Sequence, residues 1–218
     1  WAIRDEFCPE LPTAEEAIRQ ALESDVRPAV INETSDNPGG GAPGDGTHLL
    51  RAMLASDLTE ACFGFIFDPE TAEQAHRAGV GATIQARIGG KIDRLHGEPV
   101  EAEAYVKCLT DGQFRMQGPM MKGMPLNFGR TARLVIGGLD VLVASVSSQT
   151  YDPEIFLLHG IDVTRYRIIA LKSSQHFRAG FAHVTTCMIP ADTPGMTSTQ
   201  LDRFEYRRLE RPVWPLDQ

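Results

Sequence analysis

The stretch PAVINETSDNPGGGAPGDGT, residues 28–47, contains a short apolar run and a turn crowded with glycine, and the helical pattern of residues 48–54 follows directly. This order is typical of a strand that ends at a loop and restarts as a helix. In open α/β sheets, ligands bind at loops of this kind, at the carboxyl ends of the strands. Residues 28–47 therefore predict an α/β fold and the position of a site within it.

The loop contains five glycines between residues 39 and 46. Because glycine loses much conformational entropy on folding, we expect this loop to need positive φ angles or a close approach of its backbone to another group. Asp45 or Thr47 is expected to cap the following helix. The amides that stay uncapped would form a weak anion site at the positive end of the helix dipole.

Two phosphate-binding motifs resemble parts of this loop. Residues 41–47 have the glycine spacing of a P-loop, but no lysine follows the second glycine, which excludes that motif. Residues 39–44 satisfy the glycine pattern of a dinucleotide-binding loop. However, seven residues separate Ile31 from Gly39, whereas that motif begins at the strand end. A tight loop that only connects two elements stays open as an alternative.

Composition restricts the class of protein. The 218-residue chain has 23% charged and 42% hydrophobic residues, as globular proteins do, and could form one large domain or two small ones. The net charge of −8 argues against general binding to nucleic acid or to an anionic membrane, because both require a basic face. No apolar run approaches the ~20 residues that span a bilayer. Four scattered cysteines without a C-x-x-C pair predict reduced thiols and a cytoplasmic protein.

Strand and helix patterns alternate in the first part of the chain. Thr13 is expected to cap a helix, residues 61–67 to form a buried strand, and Asp68 to cap a further helix. Residues 81–88 then predict a third strand. Because strands and helices alternate, these strands are expected to pair in parallel through right-handed crossovers.

The pattern changes between residues 98 and 147. Residues 100–108 alternate apolar and polar side chains, which is typical of a half-buried antiparallel strand. Hairpin turns are expected at residues 111–112 and 137–138. An α/β pattern returns with a buried strand at 166–171. The predicted fold class is α/β, with a parallel or mixed sheet flanked by helices and an antiparallel, hairpin-rich insertion around 98–147 that could be a β subdomain.

Four segments of the chain together resemble a known family: residues 35–47, 89–91, 172–179 and 211–217. They are similar to the C-terminal domain of the microcystinase C (MlrC) family. The resemblance covers nearly the whole chain, so residues 1–218 are expected to form one domain of this kind. It implies a family of zinc metallopeptidases whose N-terminal α/β half carries the Asp and His zinc ligands. Since the chain starts at Trp1 without an initiator methionine, we expect it to follow that half in a longer protein.

No metal ligand is predicted within this chain. It has no H-E-x-x-H motif, and its six histidines show no tight ligand spacing. His176 differs from the other histidines because it stands at a predicted strand-to-helix junction beside Lys172 and Arg178. The sequence therefore predicts a polar site role for His176, and a structural cap stays open as the alternative.

The first hypothesis is that this domain completes the active-site cleft of a zinc peptidase, together with the N-terminal half of the same protein. The resemblance implies that zinc activates a water molecule that attacks the carbonyl of a peptide substrate. His176 and Arg178 would be catalytic and would stabilise the oxyanion or a substrate carboxylate. Five residues are predicted to bind substrate, the first two by orienting the peptide or its amine: Asp36, Asn37, Asp45, Thr47 and Lys172.

Two other hypotheses remain. A non-catalytic structural or oligomerisation module would use the glycine loop to shape the fold and the methionine-rich residues 116–128 as a partner surface. Site loops that lie apart, or that are filled by their own side chains, would favour this module, and a homo-oligomer stays open. A nucleotide-binding domain is the third hypothesis, which titration with nucleotides would reveal as a rise in thermal stability.

Overall fold

The computed structural model describes residues 1–8 and 10–217. The strands are β1 (Ala29–Glu33), β2 (Ala61–Phe67), β3 (Thr83–Ile88), β4 (Val100–Thr110), β5 (Gln113–Arg115), β6 (Pro125–Asn127), β7 (Thr131–Ile136), β8 (Leu139–Ala144), β9 (Ile168–Lys172) and β10 (Met188–Ala191). The helices are α1 (Ala14–Glu23), α2 (His48–Ala55), α3 (Pro69–Ala78), α4 (Glu154–Leu158) and α5 (Phe177–Phe181). None of the helices in these described ranges is long and apolar enough to cross a bilayer.

Eight strands form one mixed sheet in the order β10-β1-β9-β2-β8-β7-β4-β3, while β5 and β6 form a small separate sheet. The α/β class with helices flanking a mixed sheet is thus confirmed. The five strands from β10 to β8 are parallel. β1, β8 and β9 are buried at every position, because apolar clusters cover both faces of this part of the sheet. Glu33 lies opposite Lys172, so β1 and β9 end at the same edge.

The prediction that residues 81–88 form a parallel strand is wrong. β3 lies at the edge of the sheet and pairs with β4 in antiparallel register. Its side chains alternate between exposed and buried positions, which is typical of an antiparallel strand with one solvated face. β1 and β2 do run parallel, but β9 lies between them. The order of strands along the chain therefore does not give their order in the sheet.

The antiparallel strands between residues 98 and 147 are confirmed, with one error in their pairing. The hairpin around residues 137–138 is present as β7 and β8, whereas the hairpin expected at residues 111–112 is not, because β4 pairs with β7. The amide of Gly112 donates to the Thr110 hydroxyl at 3.0 Å, and the chain then enters the separate β5–β6 sheet. Since β8 also pairs in parallel with β2, the strands β4, β7 and β8 continue the main sheet.

Thr13 caps α1, as predicted, through a reciprocal pair of hydrogen bonds. Its hydroxyl accepts from the Glu16 amide at 3.3 Å, and the Glu16 carboxylate accepts from the Thr13 amide at 2.9 Å.

Replacing Thr13 with alanine is expected to lower the free energy of unfolding by about 1 kcal/mol, because the Glu16 amide loses its acceptor. Urea unfolding would measure this loss. Thr199→Ala, at an exposed threonine outside the helices and strands, is the matched control, and equal losses in both variants would contradict the expectation.

Candidate functional site

The loops that follow β1 and β9 meet at the carboxyl edge of the parallel strands. The side-chain amide of Asn37 in the first loop donates to the hydroxyl of Ser174 in the second loop at 3.2 Å. We call this edge, formed by residues 34–47 and 172–178, the rim. Brought together by the register of β1 with β9, the two loops occupy the position where open α/β sheets bind ligands.

A cluster of charged side chains lies buried beneath the rim. The Lys172 ammonium donates to the carboxylates of Glu33 and Asp36, the latter at 2.8 Å, and to the carbonyl of Gly46 at 2.9 Å. All three charged side chains are at most 2% exposed. Burial favours the neutral amine, but the neighbouring carboxylates outweigh burial and raise the pKa of Lys172 above its ordinary value. The cluster therefore joins the ends of β1 and β9 through a charged lysine.

Asp36 also holds the glycine loop in place. One carboxylate oxygen accepts from the amide of Gly44 at 2.7 Å, and the other accepts from the amide of Gly46 at 2.6 Å. A Cβ atom added to Gly46 would lie 2.6 Å from Asp36 Oδ2, and Gly44 has a φ of +83°. The close backbone approach and positive φ expected of this loop are thus present. Two amides that could have bound an external anion bind the carboxylate of the chain itself.

The prediction that Asp45 or Thr47 caps α2 through its side chain is wrong. Thr47 is the N-cap residue, but its side chain makes no capping hydrogen bond and instead donates to the carbonyl of Glu98 at 2.8 Å. One carboxylate oxygen of Asp45 accepts from the amides of Lys91 and Ile92 at 2.8 and 3.0 Å. Both side chains instead form their hydrogen bonds with the loop between β3 and β4. The segments 35–47 and 89–91 are therefore in direct contact.

His96 is a buried residue of this region that sequence reasoning did not select. Its Nδ1 atom lies 2.8 Å from Asp93 Oδ1, and its Nε2 atom accepts from the Met196 amide at 3.0 Å. The ring proton therefore lies on Nδ1. Partial burial opposes ionisation of Asp93, but hydrogen bonds from His96 outweigh it and lower the pKa of Asp93. The Asp-x-x-His spacing was the available signal.

His176 and Arg178 lie on the outer part of the rim. His176 is exposed, and its Nδ1 atom is 2.6 Å from the side-chain nitrogen of Gln149. Arg178 is partly exposed, donates from Nε to Gln175 at 2.9 Å and lies over the ring of Phe177. His176 occupies the N-cap position of α5 without making a capping hydrogen bond. An imidazole and a guanidinium thus stand at the surface of the rim, where they could donate to an anionic group.

The predicted site residues fall into two groups. Asp36, Asp45, Thr47 and Lys172 are at most 2% exposed, and each is hydrogen-bonded within the chain. Their substrate contacts stay a prediction, while their contacts with the loops shape the rim. Three predicted residues lie nearer the surface: Asn37, at 8% exposure, and the more exposed His176 and Arg178.

In the part of the chain that the structure describes, the side chains do not form a metal centre. Among residues 1–8 and 10–217, no group of three or more His, Cys, Asp or Glu side chains could hold a metal ion. The buried carboxylates of Glu33 and Asp36 are already bonded to Lys172, which takes the place that a cation would need. The donor set described here therefore does not fit a metal ion.

Comparisons with known proteins agree with the fold and with the family resemblance of the sequence. A family model described as "MlrC C-terminus" matches residues 31–208. Microcystinase C from Sphingomonas sp is 32% identical over 200 residues, which cover 92% of this chain and 38% of that protein. A crystal structure from Mesorhizobium sp. BNC1, named "Putative metallopeptidase", matches with a TM-score of 0.88 and 27% identity. That match covers 100% of this chain and 43% of the Mesorhizobium chain.

The chain therefore spans less than half the length of both relatives. The family model nevertheless includes both loops of the rim and the intervening segment at residues 89–91. The chain belongs to the MlrC C-terminus family.

Proposed function

We propose that this chain is the C-terminal part of a metallopeptidase, and that its rim completes the active-site cleft and contacts the peptide. The observation that carries the proposal is the position of His176 and Arg178. Both stand at the surface of the rim, above a buried charge cluster that fixes the loops. Family membership and two longer relatives, one named as a metallopeptidase, support hydrolysis of peptides as the reaction class.

In this proposal, His176 and Arg178 bind negative charge, either on the oxyanion that develops during hydrolysis or on a carboxylate of the peptide. Hydrogen bonds from such donors strengthen as charge develops in a site shielded from water. Asn37 binds and orients the peptide backbone or its amine. Asp36 and Lys172 contribute indirectly, since their carboxylate and ammonium groups hold the backbone of the loops that carry Asn37, His176 and Arg178.

Zinc is the metal that we propose for the longer protein, with ligands in an N-terminal half. The residues described here do not fit a metal ion, so the part assigned to this chain is to bind and orient the peptide and to stabilise charge. That N-terminal half is the proposed partner of the rim. The 38% of microcystinase C that this chain covers leaves room for such a half. A cytoplasmic location stays a prediction from the reduced thiols.

One observation favours the alternative of a structural or oligomerisation module. The glycine loop is filled by the side chain of Asp36, which occupies the amides of Gly44 and Gly46. If the whole rim had this structural purpose, His176 and Arg178 would be dispensable for hydrolysis. The same observation weakens the nucleotide-binding hypothesis, because a buried carboxylate at these amides repels phosphate.

Alanine variants at His176 and Arg178 in the longer, metal-containing protein would test the proposal. Each is expected to lower kcat/KM for a peptide substrate roughly 10–100-fold, because a charge-assisted hydrogen bond worth roughly 1.5–3 kcal/mol is lost. His183→Ala and Arg208→Ala, at exposed residues outside the rim, are the matched controls and are expected to retain activity. Unchanged kcat/KM in the two rim variants, with normal folding, would favour the structural module.

A further inference from the structure

Gln149 reaches the rim from a third loop, which follows β8. Its side chain is buried, with 2% exposure of the residue. The amide nitrogen lies 2.6 Å from Nδ1 of His176, and the amide oxygen accepts from the Ser173 hydroxyl at 3.3 Å. The His176 ring also stacks on Tyr151 of the same loop, with ring centroids 6.0 Å apart. This loop therefore holds the imidazole at one ring nitrogen and on one face.

The hydrogen bond from Gln149 determines which nitrogen of His176 carries the proton. A side-chain amide nitrogen can only donate, so Nδ1 accepts, and the proton of the neutral ring must lie on Nε2. Within the described part of the chain, Nε2 has no hydrogen-bond partner of its own, in contrast to Nδ1. We infer that Gln149 is a positioning residue that holds His176 as the Nε2–H tautomer, leaving this N–H free to donate to a group outside the chain.

The reverse orientation of the Gln149 amide would make Nε2 of His176 a hydrogen-bond acceptor instead of a donor. If the oxygen and nitrogen of the Gln149 amide exchanged places, the oxygen would accept a hydrogen bond from Nδ1–H and the nitrogen would donate one to the Ser173 hydroxyl. Nε2 would then be an acceptor, suited to a general base rather than to a donor for negative charge. The tautomer of His176 thus distinguishes two chemical roles. That the donor acts on a peptide oxyanion or carboxylate rests on the proposed function, whereas the tautomer does not.

Gly39 in the first loop leaves the space that Gln149 occupies. A Cβ atom added to Gly39 would lie 2.7 Å from Gln149 Nε2, well inside van der Waals contact. The φ angle of Gly39 is not among the positive values of the chain, so alanine fits the backbone there. Gly39→Ala therefore displaces the Gln149 side chain without changing His176 itself.

The tautomer can be measured on the 218-residue chain by ¹⁵N chemical shifts of the histidine rings, at a pH where the rings are neutral. His176 is assigned by the signal that disappears in His176→Asn. We expect the native His176 to show a protonated Nε2 and an unprotonated Nδ1. In Gln149→Glu, the new carboxylate can only accept, so the proton is expected to move to Nδ1. Gln113→Glu, at an exposed glutamine outside the rim, is expected to leave the His176 shifts unchanged.

Gly39→Ala provides a second variant in case the buried carboxylate of Gln149→Glu impairs folding. It is expected to produce a mixture of both tautomers, because the displaced amide no longer selects one. A native ring protonated at Nδ1, or shifts that are identical in all the Gln149 and Gly39 variants, would overturn the inference.

Measuring the activity of the longer protein distinguishes a failure of the inference about the His176 tautomer from a failure of the proposed function. Gln149→Glu is expected to lower kcat/KM roughly 10–100-fold, as is expected for His176→Ala, because the donor for negative charge becomes an acceptor. The loss falls in kcat if the donor acts on the developing oxyanion, and in KM if it acts on a carboxylate of the peptide. A tautomer that switches as expected while kcat/KM stays unchanged would support the inference and contradict the proposed function.

Discussion

Replacing Lys172 with methionine is expected to lower the free energy of unfolding by about 3–5 kcal/mol, the largest effect that we expect from a single substitution in this chain. Methionine keeps the length of the side chain but removes the ammonium. The carboxylates of Glu33 and Asp36, both at most 1% exposed, would then face each other without a cation. Buried charges that lose their partner pay the full cost of desolvation. Urea unfolding followed by circular dichroism would measure the loss.

Two further variants test the cause of this loss. Lys122→Met changes an exposed lysine and is expected to alter the free energy of unfolding by less than about 0.5 kcal/mol. Adding Glu33→Gln to Lys172→Met removes one of the stranded charges and is expected to restore part of the stability. Such non-additivity is the sign of direct coupling between two residues. A Lys172→Met loss no larger than that of the Lys122 control would show that the cluster does not hold the strand ends together.

Acidification is expected to destabilise the protein through His159, a histidine at the end of α4. It is buried, with its Nδ1 donating to the carbonyl of Ile155 at 2.8 Å and its Nε2 lying 2.8 Å from the Thr131 hydroxyl. Burial, assisted by the positive charge of Arg133, lowers the pKa of His159 to about 4. The ordinary value in an unfolded chain is about 6.5. Between about pH 4 and pH 6.5, His159 is therefore largely protonated in the unfolded state and largely neutral in the folded state.

The direction of this effect follows from proton linkage. Stability rises with pH wherever the unfolded state binds more protons. His159 therefore contributes nothing to the pH dependence above about pH 7, and it destabilises the fold progressively from about pH 6.5 down to pH 4. A shift of this size corresponds to about 3 kcal/mol over the whole window.

Comparing variants isolates this contribution from that of the carboxylates. His159→Gln cannot titrate, so its free energy of unfolding between pH 7 and pH 4 is expected to change by about 3 kcal/mol less than that of the native chain. His183→Gln, at an exposed histidine, is expected to keep the native pH dependence. Parallel stability curves for the native chain and His159→Gln would refute the role of His159.

Local chemistry made parts of this fold predictable from the sequence. The capping box at Thr13, the capping aspartate at Asp68 and the hairpin around residues 137–138 each depend on neighbours only a few positions apart. Their partners could therefore be read along the chain. The insertion of β9 between β1 and β2 could not, because it brings together residues separated by more than a hundred positions. The same long-range pairing decides which loops form the rim.

The candidate site shows the same limit. The glycine loop and the segment around His176 were predicted as polar turns at strand ends, and their contact follows from the parallel register of β1 with β9. Gln149 and His96 belong to loops with no motif that links them to this edge. Their partners, His176 and Met196, are distant in sequence. The burial of Asp36 and Lys172 could not be predicted from the sequence either, since charged side chains usually remain in water.

The hydrogen bonds from the amides of Gly44 and Gly46 to the Asp36 carboxylate also affect the free energy of ligand binding. Glycine segments are the most costly to immobilise, and a pocket that has to order them during binding gives up affinity. In this chain the loop becomes ordered during folding, before a ligand binds. A ligand of this surface would therefore contact a loop that is already ordered. Its affinity would not be reduced by the entropic cost of ordering the glycine backbone.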